Sequence, residues 1–138
     1  MARTTSLRRQ HDDILKDIAT FAVLLKPAPR PATGASLLEQ LSALSGKIKV
    51  HLAMEDNVLY PELLAAADPQ TRTTAAAFKK EMGGIGAAFA AFRERWNTAD
   101  AISANLAAFA REASNVLEQL NQRIQRENGS LYPLADEL

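Results

Sequence analysis

No cysteine occurs in the 138 residues, which excludes disulfides, thiolate zinc sites and thiol redox switching. There is no surplus of either charge: sixteen basic and sixteen acidic side chains cancel to a formal net charge of zero. Neither nucleic acid nor an anionic membrane is therefore expected as a partner. No apolar run approaches the roughly 20 residues that cross a bilayer. The N-terminal MARTTSLRRQHDDIL carries arginines with no apolar stretch behind them, so no secretory signal is expected, and a cytoplasmic location is. Glycine and proline are sparse outside a few loops. What is abundant is alanine and leucine, a composition that favours helix, in a chain of a size for one domain over residues 1–138.

The prolines that do occur cut the chain. KPAPRPATG (26–34) is a linker, because closely spaced prolines cannot continue a helix. ADPQ (67–70) and NTAD (97–100) are short turns, with Asp100 placed to cap the next helix. Helices are expected at roughly 4–25, 35–66, 71–96 and 101–128, followed by a short C-terminal segment, 129–138. Each passes the test of helical period. The steps of four and three run through Leu7, His11, Ile14, Ile18, Phe21 and Leu25 in the first, and through Leu37, Leu41, Leu44, Ile48, His51, Glu55 and Val58 in the second. Ala75, Phe78, Met82, Ile85, Phe89, Phe92 and Trp96 mark the third seam, and Ile102, Leu106, Phe109, Ala113, Val116, Leu120, Arg123 and Glu127 the fourth. Short turns between long amphipathic helices predict an all-α, up-down antiparallel four-helix bundle.

The chain also writes one sentence twice. HLAMEDNVLYPEL (51–63) and RIQRENGSLYPLA (123–135) align without gaps, placing His51 over Arg123, Glu55 over Glu127 and one Leu-Tyr-Pro over the other. HDDILKDIATF (11–21) lies likewise over MGGIGAAFAAF (82–92). The separations agree, 40 residues from His11 to His51 and 41 from Met82 to Arg123. The expected architecture is two pseudo-repeated helical hairpins facing each other.

His11, His51, Glu55, Arg123 and Glu127 all fall on inward seams, where charged groups are rare unless paired or bound to metal. His51 and Glu55 are four apart, one turn above each other, and Arg123 and Glu127 repeat that geometry. Imidazole and carboxylate together suit iron, manganese or zinc, and bundle interiors are places where such sites are built. Gly83, Gly84 and Gly86 in mid-helix suggest a close helix approach or a local break. Tyr60 and Tyr132 could place hydroxyls near such a site, but are expected to cap the base of the bundle.

With its HDDI helix, HLAMEDNVLYPEL and repeated Glu…LYP element, the chain resembles the hemerythrin-like, or HHE cation-binding, family from about His11 to the C-terminus. The resemblance implies a bundle around a non-haem diiron centre, binding dioxygen in some members and serving sensing or stress responses in others. In that pattern each half supplies one histidine from its first helix and a His-x-x-x-Glu pair from its second. His11, His51 and Glu55 match the first half and Glu127 the second carboxylate, so the implied metal ligands are His11, His51, Glu55 and Glu127. The second half departs twice, with Met82 and Arg123 where histidines belong. Arginine only donates hydrogen bonds, and a thioether is a poor ligand for iron among oxygens.

An arginine in the place of a second cation would restore positive charge facing the carboxylates, pairing with Glu55, Glu127 or both. The expected cofactor is then one iron ion rather than two, with another divalent metal or none as alternatives. The expected partners are that ion and a small diatomic ligand, in a protein for oxygen or redox sensing or for metal handling. A homodimer has no support in the sequence. The competing reading is a metal-free bundle serving interaction or regulation, its former site converted to a buried salt-bridge network. An oxidative enzyme is the weakest reading, and no serine–histidine pair, phosphate-cradling loop or cofactor fingerprint is present.

Overall fold

The computed structural model describes residues 3–26 and 32–138. Residues 27–31, the centre of the expected linker, lie outside them. Among the described residues all regular structure is helical. The elements are α1 (Thr5–Leu24), α2 (Gly34–Met54), α3 (Tyr60–Leu64), α4 (Pro69–Arg95), α5 (Ala99–Ala104), α6 (Leu106–Arg126) and α7 (Tyr132–Asp136). α1 packs on α2 and α6, α4 on α6 and α3, and α2 on α5. None of these helices is long and apolar enough to cross a membrane.

Local chemistry explains the helix ends. Thr33 accepts from the Ser36 amide at the start of α2, and Asp68 accepts from the Gln70 amide ahead of Pro69, which fits the first helical turn because it has no N–H to leave unpaired. The expected cap at Asp100 lies two residues too late. Thr98 caps α5 by accepting from the Ala101 amide, and Asp100 sits inside the first turn. The expected single helix over 101–128 is broken at Asn105, which leaves helical geometry at φ −149° and ψ 67° and then caps α6 through the Ala108 amide. An asparagine side chain competes well for such amides, so it ends one helix and starts the next.

Two π-helical turns shape the site. Glu55–Leu59 follows α2 and Glu127–Leu131 follows α6. The amides of Tyr60 and Tyr132 reach back five residues, to the carbonyls of Glu55 and Glu127. Pro61 and Pro133 come next, each lacking a donor and each crowding the carbonyl four residues earlier, which the wider turn relieves. The extra residue per turn advances the register by one. Val58, expected on the buried seam, is 55% exposed, whereas Leu59 and Tyr60 are buried. In the short C-terminal segment 129–138, the second π turn carries the chain directly into α7.

The mid-helix glycines also differ from expectation. α4 runs unbroken through Gly83, Gly84 and Gly86, and a Cβ on any of them would meet nothing within 4 Å. The close approach is at Gly34 instead, where a Cβ would stand 2.3 Å from the Ala99 carbonyl oxygen. Any side chain there would push α2 off α5.

Two apolar clusters fill the interior. The larger includes Ile14, Phe21, Leu41, Phe92, Phe109 and Trp96, with Trp96 edge-on to Phe109 and its indole N–H donated to Glu112 at 2.9 Å. The smaller includes Leu7, Leu59, Leu63, Phe78 and Leu131 together with both tyrosines. Buried alongside these clusters are His11, His51, Glu55, Arg123 and Glu127. All five polar residues expected to face inward do so, and their charges must be answered within the protein.

Candidate metal centre

His11 comes from the middle of α1, His51 from the last turn of α2, and Glu55 and Glu127 each from the first residue of a π turn. One ligand-type atom from each lies within 4.8 Å of the others, and all four residues are buried. Bonds of roughly 2.0–2.2 Å to a single ion put opposite ligand atoms about 4 Å apart, so the cluster is close to the size one ion requires. His11 Nε2 is 3.0 Å from Glu127 Oε1, and His51 Nε2 is 3.5 Å from Glu55 Oε2 and 4.0 Å from Glu127 Oε1. The two imidazole rings are 4.5 Å apart.

The far nitrogen of each ring is held from behind. His11 Nδ1 is 2.7 Å from Asn128 Oδ1, and His51 Nδ1 is 2.8 Å from Gln10 Oε1. Amide oxygens only accept, so each Nδ1 carries its proton and each Nε2 faces the cluster. This is the outer-shell arrangement that orients metal-binding histidines. The sequence reading passed over both amides because neither is a ligand. Their one visible signal is adjacency, Gln10 beside His11 and Asn128 beside Glu127.

For Tyr132 the less expected reading holds: its hydroxyl points into the cluster, donating to Glu55 Oε2 at 2.8 Å and lying 3.1 Å from His11 Nε2 and 3.4 Å from His51 Nε2. Its ring stacks on that of His11, 4.9 Å between centroids and 10° from parallel. Tyr60, its counterpart, is buried too, but its hydroxyl accepts from Arg123 at 2.9 Å.

Arg123 is 1% exposed. Its guanidinium donates to Tyr60 Oη and to the Phe78 carbonyl at 2.6 Å, and lies 4.5 Å above the Phe78 ring. Toward the carboxylates its contact is looser, with Nε 3.6 Å from Glu127 Oε2. Among the described residues no ion pair joins it to Glu55, so of the expected pairings with Glu55, Glu127 or both, the structure has the one with Glu127, beside two neutral acceptors. Arg123 also approaches Glu81 at 3.6 Å, and Glu81 pairs with Arg126 at the surface. Met82 is buried but lies in the wall of a small apolar cavity of about 40 Å³ with Ile48, Leu52, Ile85 and Leu120.

The electrostatics divide the two carboxylates. Burial raises Glu55, and the nearby charge of Glu127 raises it further. Burial would raise Glu127 as well, but the hydrogen bond from His11 and the approach of His51 hold it well below the usual carboxylate range. Burial opposes charging His51, yet its contacts with Glu127 and Glu55 lift it from 6.5 to about 9. Burial and the charges of Glu127 and Glu55 push the Tyr132 phenol up. In this state a proton on His51 does what a cation between the ligands would do.

Four buried polar atoms have no hydrogen-bond partner among the described residues: Glu55 Oε1, Glu127 Oε2, and Nε and Nη1 of Arg123. Buried carboxylate oxygens left in this condition are costly. Together with two histidines presenting Nε2, they form a donor set of the kind that suits a hard or borderline divalent or trivalent ion. The residues present fit a metal ion, while Arg123 and Met82, where the second half departs, are not ligands of that kind.

No curated protein and no solved structure matches the chain. A protein-family match covers residues 3–135 and is described as hemerythrin HHE cation binding domain. Spanning nearly the whole length and taking in every residue of the buried cluster, that match means the chain belongs to the hemerythrin HHE cation-binding domain family.

Proposed function

We propose that this protein is a metal-binding domain with a reduced hemerythrin-type site, in which one iron ion is held by His11, His51, Glu55 and Glu127, and the charge of Arg123 stands in for a second metal. The scaffold is one domain over residues 1–138, an up-down antiparallel four-helix bundle of two pseudo-repeated helical hairpins. The observation that carries the proposal is the pairing of Gln10 and Asn128 with the outer nitrogens of the two histidines. That pairing turns both Nε2 atoms toward the two carboxylates, an orientation that a buried salt bridge alone does not call for.

A bound iron would supply redox chemistry and an affinity for small diatomic molecules. The rest of the work belongs to the chain. Gln10 and Asn128 fix the tautomer of each histidine, and Glu127 joins the ligand cluster to Arg123. The two apolar clusters keep bulk water from the site. The cavity beside Met82, lined by Ile48, Leu52 and Leu120 among others, offers apolar room. These features support oxygen or redox sensing, or metal handling.

A metal-free reading also has an observation in its favour. Protonated His51 and Arg123 balance Glu55 and Glu127, so the buried charges can sum to zero with no ion bound. Metal analysis of protein made without a polyhistidine tag decides between the two. We expect about one iron per chain, and a stoichiometry near zero after supplying iron, manganese and zinc in turn would establish the metal-free network.

A further inference from the structure

Tyr132 has no task in the proposed ligand set, yet its oxygen lies closer to the ligand atoms than some of them lie to each other. It is 2.8 Å from Glu55 Oε2, 3.1 Å from His11 Nε2 and 3.4 Å from His51 Nε2, whereas His51 Nε2 and Glu127 Oε1 are 4.0 Å apart. Atoms that bind one ion at roughly 2.0–2.2 Å stand about 3.0 Å from their neighbours in an octahedron and about 3.4 Å in a tetrahedron. The three Tyr132 distances are edge lengths of such a polyhedron. A tyrosine that merely supported a ligand from behind would touch one of these atoms, as Gln10 and Asn128 touch the outer nitrogens.

The ring has little freedom to leave. Tyr132 is fully buried, stacked on His11, and approached by the Arg8 guanidinium 5.4 Å from its ring centroid. The π turn and Pro133 set its place on the backbone. Tyr60 occupies the corresponding position in the other segment, but its hydroxyl is engaged by Arg123. One tyrosine therefore serves the guanidinium and the other faces the ligands.

We infer that Tyr132 is a fifth protein ligand, its phenolate oxygen completing the site with His11, His51, Glu55 and Glu127 and selecting a ferric ion. The inference rests on the proposed metal site. Ligand type supports the choice of oxidation state, and the phenolate also lowers the excess positive charge that a ferric ion and Arg123 would leave against two carboxylates in a dry interior. Phenolate is a hard anionic oxygen, matched to a small trivalent cation. On coordination the metal–oxygen bond forms, the phenolic O–H bond breaks, and the proton leaves to solvent with the others that metal binding displaces.

The test adds ferric nitrilotriacetate to the metal-free full-length chain and reads two quantities, iron per chain and the resonance Raman spectrum excited in the visible. Wild type is expected to bind one iron and to show tyrosinate ring modes with a visible charge-transfer band. Tyr132→Phe should lose band and modes completely and bind ferric iron at least about tenfold more weakly, while Tyr60→Phe keeps both signals. One iron bound by wild type without tyrosinate modes overturns the inference and leaves the four-ligand site standing. Modes that persist in Tyr132→Phe overturn it equally. No iron bound by wild type removes both the inference and the site beneath it. The wild-type spectrum decides even if the variant fails to fold.

Discussion

In the segment from His51 to Pro61, a histidine and a glutamate one turn apart lead into a π turn, and the tyrosine beyond it accepts a hydrogen bond from Arg123. In the segment from Arg123 to Pro133 the backbone follows the same course, but the first residue is a permanent cation and the tyrosine points into the His/Glu cluster. The same turn thus places two glutamates in opposite electrical surroundings. Burial and the neighbouring carboxylate raise Glu55, while Glu127, bonded by one imidazole, approached by the other and facing a guanidinium, is lowered. A repeated turn sets where the two glutamates go, and the imidazoles and carboxylate around each decide which keeps its charge.

The comparison is broken most completely by restoring the missing ligands. Met82→His with Arg123→His should raise iron content from about one to about two per chain, read by metal analysis. A stoichiometry unchanged at one would show that the second segment never mirrored the first. Next in size is Arg123→Met, which leaves Glu127 buried without its cation and removes the donor to Tyr60 and Phe78. A loss of about 3–5 kcal/mol is expected from urea unfolding of the metal-free protein. Adding Glu127→Gln should recover part of that loss.

Acidity sharpens the contrast further. In the metal-free protein His51 stands at about 9 against an ordinary 6.5. A folded value above the unfolded one gives stability that is fully present below pH 6.5 and lost as pH rises through 9. On the order of 3 kcal/mol is involved. Glu127 has the opposite sign: its contribution is present above the ordinary carboxylate value and fades as pH falls below it. Urea midpoints measured across neutral to alkaline pH should therefore decline in wild type and stay flat in His51→Gln. The smallest effects concern the outer amides. Gln10→Leu and Asn128→Leu should each weaken iron binding by roughly 10–100-fold, measured by competition with a chelator, with the fold retained by circular dichroism. Similar losses in the two variants would mean that both histidines are held with equal need.

Much of this was legible in residue order. The four-and-three spacing of apolar residues located the long helices, and the interruption of those seams by His11, His51, Glu55, Arg123 and Glu127 marked the buried polar residues, all of which are buried. The errors have local causes. Asn105 splits the fourth helix because its side chain caps the helix that follows, and Val58 is exposed because a π turn added a residue that a strict helical count does not contain.

Periodicity along one strand of sequence is a property of neighbouring residues, and it was enough to determine which residues face inward and that imidazoles and carboxylates are among them. Which of those groups meet was decided across helices. Tyr132 rather than Tyr60 reaches the cluster, Arg123 donates to a carbonyl and a phenol and approaches Glu127 but not Glu55, and Gln10 and Asn128 stand behind the histidines. Each of these depends on distances between segments as many as 121 residues apart, set by how the helices pack and by the extra residue in each π turn.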